Sequence, residues 1–141
     1  MNHELIYTSC ATHEMDETNL TELLQQSREK NIRLNITGLL VYGNREFIQL
    51  LEGHKTEIFS LYDTIVKDDR HQQVELLWDS EIENRSFMDW SMAFLNVNTV
   101  DKIKLKAYST FLQEGVSSLH LTGNKSIGRR LLIGMRNDFI T

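Results

Sequence analysis

Hydrophobic and polar positions change their period several times along the first 97 residues, and the changes divide the chain into elements. In E-L-I-Y-T-S-C (4–10), Leu5, Tyr7 and Ser9 fall on one face and Ile6 and Thr8 on the other, the alternation of a β-strand. A period near 3.6 follows. Leu20, Leu23 and Leu24 form an apolar stripe, and Asn19 with Glu22 three positions on has the spacing of a capping box, which places a helix start there. Ser27 and Asn31 continue the same stripe, so the inward face of this helix turns polar toward its end.

L-L-V-Y and R-E-F-I-Q-L-L come next, separated by Gly43-Asn44, and this reads as a hairpin with glycine first in a type II′ turn. That turn pairs Tyr42 with Arg45, Leu40 with Phe47 and Gly38 with Gln49, all on one face, with Gly38 leaving room beside the glutamine. Glu52-Gly53-His54 breaks the pattern. Ile58, Leu61, Tyr62 and Ile65 then mark a second helix ending near Asp68-Asp69-Arg70-His71. Val74, Leu76 and Trp78 alternate in a fourth strand, and Trp90, Met92 and Phe94 in a fifth. The order is βαββαββ: an α+β, ferredoxin-like plan with a five-stranded sheet and both helices on one face. Beyond Val100, helices over 101–112 and 124–135 are expected on the other face, although Gly128 and Gly134 weaken the second. The division near residue 97 separates a domain at 1–97 from a helical extension at 98–141 packed on the sheet.

Composition narrows the functional classes. A chain of 141 residues with 40% hydrophobic content fits one core, and the complete lack of proline leaves no stiff linker. A formal charge of −5 provides no basic field for phosphates, and Arg129-Arg130 is the only adjacent basic pair, so no nucleic-acid partner is expected. No apolar run approaches the ~18 residues of a membrane span, and the opening M-N-H-E-L-I-Y lacks signal-peptide character; the expectation is a cytoplasmic protein without a membrane partner. Cys10 alone excludes an internal disulfide and reads as a small buried hydrophobe. The five histidines show no metal spacing.

Polar residues at inward positions carry the chemistry. Tyr7, Gln49, Ser27 and Asn31 come from three separate elements and all point into the layer between sheet and helices. A buried amide without partners costs about 1–3 kcal/mol, so each must bond to protein, water or ligand. For Gln49 alone, mutual satisfaction within the core is as good an account as a ligand; four such groups converging favour a ligand rich in donors and acceptors.

The same residues resemble the BLUF domain, a blue-light sensor that uses FAD. The matching letters are Tyr7 in L-I-Y-T-S, Asn31, I-T-G-L-L at 36–40, F-I-Q-L-L-E-G at 47–53, D-D-R-H at 68–71 and W-S-M at 90–92, spread over residues 3–97. The resemblance implies a flavin ring between the two helices, with its carbonyl edge on Asn31 and Gln49 and with Tyr7 bonded to Gln49. It implies that light drives electron and proton transfer from the tyrosine, after which the glutamine is left rearranged and the absorption moves to the red. Tyr7, Gln49, Trp90 and Met92 are then the photoactive set. Ser27, Lys30, Ile65, Asp68 and His71 fall at or next to flavin-contacting positions, and Leu40 and Phe47 wall the pocket. Read without the family, these are a helix-end serine, a solvated lysine, core apolar residues and helix-terminal charges. Thr64 departs from the arginine of some relatives, which puts one contact in doubt.

Three function classes follow. The leading one is a stand-alone, non-enzymatic photoreceptor that signals through contacts with a downstream protein and, as the resemblance implies, assembles as a dimer or larger ring. A flavoenzyme is the second, although no separate acid, base or substrate pocket is legible. A ferredoxin-like RNA-binding module is the third, opposed by the acidic balance and by a sheet expected to be covered.

Overall fold

The computed structural model describes residues 2–98 and 132–137. Among these, the elements run β1 (Asn2–Ala11), α1 (Glu17–Leu34), β2 (Thr37–Gly43), β3 (Glu46–His54), α2 (Lys55–Val66), β4 (His71–Ile82) and β5 (Ala93–Asn96), the ferredoxin-like βαββαββ order. They form one five-stranded sheet in the order β4-β1-β3-β2-β5, with β2 and β5 parallel and the other neighbours antiparallel.

Strand alternation gives the sheet two apolar faces. On one, Leu5, Tyr7, Leu40, Tyr42, Phe47 and Leu51 pack with Leu20 and Leu24 of α1 and Ile58 and Leu61 of α2. On the other, Ile6, Leu39, Val41, Ile48 and Leu50 pack with Phe87, Leu132 and Met135. The helical stretch 132–137 covers this second face and runs past the expected end at Met135; the helix expected over 101–112, and the earlier part of that at 124–135, lie outside the described residues.

Several local expectations are corrected. The cap of α1 is Asp16, whose carboxylate accepts from the Asn19 backbone N–H at 2.8 Å while the Asn19 side chain accepts from the Asp16 N–H at 3.3 Å; Asn19 is the third position of the capping box and not its start. The hairpin turns on Asn44-Arg45, both at positive φ (51° and 63°), which matches a type I′ turn and not II′. The pairs are therefore Tyr42 with Phe47, Leu40 with Gln49 and Gly38 with Leu51. Gly38 serves a close backbone approach, since a Cβ there would lie 2.0 Å from the Leu50 carbonyl oxygen. β3 continues through Glu52-Gly53 to His54 instead of breaking. In β4 a register shift moves burial from Leu76, which is exposed, to Leu77, because a bulge exchanges the faces of the residues on either side of it. β5 begins only at Ala93, so Trp90 and Met92 precede it. Cys10 is half-buried.

Candidate functional site

A cleft opens between α1 and α2, with the sheet as its floor. Its cavity volume is about 140 Å³, and it is open to solvent on the side away from the sheet. All ten residues expected to bind the cofactor line it: Tyr7, Ser27, Lys30, Asn31, Leu40, Phe47, Gln49, Ile65, Asp68 and His71. The elements explain the convergence. Tyr7, Leu40, Phe47 and Gln49 share a sheet face, Ser27 and Asn31 lie one turn apart on α1, and Ile65, Asp68 and His71 lie at the end of α2 and the entry to β4.

At the floor, the Tyr7 hydroxyl donates to Gln49 Oε1 at 2.5 Å, and Gln49 Nε2 donates to the Met92 sulfur at 3.4 Å. Gln49 is 4% exposed. A thioether is a weak acceptor and the amide oxygen has a second lone pair, so the amide keeps bonding capacity toward the cleft. Burial pushes the Tyr7 phenol above its ordinary range, with the nearby charges of Tyr62 and Asp68 adding to the effect, which keeps it a protonated donor. Asn31, 2% exposed, donates through Nδ2 to the Ser91 carbonyl at 2.7 Å and retains a second N–H and an acceptor oxygen.

At the mouth, Arg70 holds Asp68 through Nη2–Oδ2 and Nε–Oδ1 at 2.5 and 3.0 Å, and its Nη1 reaches Gln26 Oε1 at 2.9 Å. Those bonds hold the Asp68 carboxyl below its usual value. His71 has both nitrogens engaged: Nε2–H donates to the Ile65 carbonyl at 2.5 Å, and Nδ1 is hydrogen-bonded to Ser9 Oγ at 2.8 Å.

Trp90 and Met92, expected on one face, separate. Met92 is buried against Gln49, whereas Trp90 packs with Phe87 on the opposite side of the sheet, their ring centroids 6.3 Å apart. Strand alternation does not hold here because β5 has not yet begun. Leu23, Gln26, Leu61, Thr64 and Arg70 also line the cleft and were not assigned from sequence. Leu23 and Leu61 lie on the inward apolar stripes of their helices and Arg70 falls within D-D-R-H, while Gln26 is an i, i+4 neighbour of Lys30, the signal that places it. Among the described residues no cluster of His, Cys, Asp and Glu is arranged for a metal, and no helix is long and apolar enough to cross a membrane.

Buried amides facing a cleft with apolar walls suit a flat ring that carries carbonyl and N–H groups on one edge, and a flavin is such a ring. Comparison with known proteins gives the same answer. The family model described as "BLUF: Sensors of blue-light using FAD" matches residues 3–93. The photoactivated adenylate cyclase subunit beta of Euglena longa is 35% identical over 89 residues, covering 62% of this chain and 10% of that subunit. Among solved structures, a bacterial light-regulated adenylyl cyclase superposes with a TM-score of 0.79 at 29% identity, over 87% of this chain and 36% of that one. The dark-state structure of the BLUF protein BlrB gives 0.69 at 29% identity, over 86% of this chain and 93% of its own. Fold and cleft together define a flavin-binding, light-sensing domain. The chain belongs to the BLUF family.

Proposed function

We propose that this chain senses blue light through a flavin held in the cleft, with Tyr7 and Gln49 as the switch and a protein partner as the receiver. The observation that carries the reading is the Tyr7–Gln49 hydrogen bond on the floor of a cleft that Asn31 also lines. Asn31 and Gln49 would hold the carbonyl edge of the ring, and Ile65, Leu40 and Phe47 would wall it. Ser27, Lys30 and Asp68 would line the path toward the mouth, while His71 would act by packing, since its nitrogens are spent within the protein. When bound, the flavin supplies a blue-light-excited acceptor for an electron and a proton from Tyr7, both of which return, so no net oxidation results.

The residues themselves fit a reversible switch. Tyr7 can donate to Oε1 or accept from Nε2, so exchanging the two ends of the Gln49 amide keeps the bond to tyrosine and occupies the same space. The exchange removes the donor from the Met92 sulfur, because an amide oxygen cannot donate. Met92 is thus the first neighbour outside the cleft to register the change. FAD is the preferred flavin, cytoplasmic location and assembly into a dimer or ring follow the family, and the helices expected over residues 101–135 would serve as the lever or interface toward the partner. A catalytic role is not part of this reading: the related cyclase subunit is ten times longer than the match to it.

The test is spectroscopic. Purified protein, or protein reconstituted with FAD, should show a flavin spectrum that moves slightly to the red under brief blue light and returns in the dark. Bound flavin without any shift would sink the reading, and chromatography of the released cofactor distinguishes FAD from FMN.

A further inference from the structure

The turn between β4 and β5 is tied at both ends. At the cleft end, Asn31 Nδ2 donates to the Ser91 carbonyl at 2.7 Å, Arg28 Nε donates to the Met92 carbonyl at 3.0 Å, and Gln49 donates to the Met92 sulfur. In the middle, the Gly38 N–H donates to the Trp90 carbonyl at 3.2 Å and the Trp90 N–H to the Phe87 carbonyl at 3.0 Å. At the far end, the fully buried Glu52 accepts the Ser86 N–H at 2.6 Å, and the Phe87 N–H and Thr37 hydroxyl at 2.9 Å each. The helical stretch 132–137 then reaches the same point: the Arg136 guanidinium donates to the Ser86 carbonyl and sits 5.5 Å from the centre of the Phe87 ring.

A segment of seven residues, 86–92, therefore contacts the switch glutamine at one end and a helix on the opposite face of the sheet at the other. Its backbone is bonded at Ser86, Phe87, Trp90, Ser91 and Met92, which gives a displacement at Met92 a bonded route along the turn toward Ser86. We infer that Arg136 is the positioning residue that couples the state of Gln49 to the helical stretch 132–137, acting through turn 86–92. The inference rests on the photoreceptor reading above. Its physical requirement is a two-state element that both ends sense, and the Gln49 amide is that element.

Hydrogen exchange read by mass spectrometry, in the dark and under continuous blue light, tests this on the flavin-loaded full chain, with absorbance recorded on the same samples. In the wild type the red shift should be accompanied by altered exchange in peptides covering both 86–92 and 132–137. Arg136→Met retains an alkyl stem over Phe87 and removes the donors. It should keep the red shift and the response at 86–92 and lose the response at 132–137. A light response at 132–137 that survives Arg136→Met overturns the coupling, as does a red-shifted wild type with no response there. A flavin-loaded wild type that shows no red shift overturns the photoreceptor reading and the coupling with it.

Discussion

A tyrosine and a glutamine joined by one short bond inside an apolar layer are an unusual use of core volume, and each residue constrains what the other can do. The Tyr7 phenol is buried and its ionisation is suppressed, so over the neutral range the pair is a neutral donor facing a neutral acceptor. The sign of the pH effect follows. A phenol whose folded pKa is raised stabilises the fold fully below the unfolded value near 10, and that stability is lost as pH climbs past 10, where the unfolded chain sheds the proton and the folded chain keeps it. Tyr7→Phe removes this dependence along with the proton and electron donor. Melting temperatures measured between pH 9 and 11 should fall more steeply for wild type than for Tyr7→Phe, and at pH 7 the variant should bind flavin yet show no light-induced red shift. Parallel melting curves, or a normal photocycle in the variant, would contradict the role given to Tyr7.

Between residue and fold, the elements show what pattern can and cannot disclose. The hairpin was expected to turn at Gly43-Asn44 and turns at Asn44-Arg45, which moves every cross-strand partner by two positions. Because side chains alternate with a period of two, that slip changes partners and preserves faces. Gln49 therefore points into the cleft as its pattern implies, although it lies opposite Leu40 and not Gly38. The turn before β5 had no such protection. Alternation placed Trp90 beside Met92, but neither residue is yet in a strand, and their side chains go to opposite faces. Glu52 was equally hidden: a charged residue after an apolar run reads as an ending, whereas here it is 0% exposed and holds the turn by two backbone N–H groups. Only knowledge of the turn's path would have shown that partner. Glu52→Gln replaces an acceptor oxygen with an N–H₂ that must face an N–H or hydroxyl donor, and should cost about 1–3 kcal/mol of stability in urea unfolding of the flavin-loaded protein. A cost below about 0.5 kcal/mol would mean that the turn does not depend on this carboxylate.

At the scale of the whole molecule, one sheet serves two unlike layers. The face toward α1 and α2 gives up part of its packing to a cleft with buried amides, while the opposite face is filled by aliphatic and aromatic side chains and closed by Leu132 and Met135. Among the described residues the two clusters share no member, and the backbone of the strands and the turn at 86–92 lies between them. Stability and cofactor chemistry should therefore separate under mutation. Leu132 is fully buried in the solid layer, so Leu132→Ala removes apolar contact and leaves a cavity at a cost of about 2–5 kcal/mol. None of the cleft-lining residues belongs to that cluster, and the flavin absorption maximum and the size of the light-induced shift should stay at their wild-type values. Urea unfolding and difference spectra on the same preparations measure both quantities. A loss of stability with unchanged spectra is the expected pair; a changed dark-state spectrum would show that packing on the solid face sets the geometry around Gln49 even before light is absorbed.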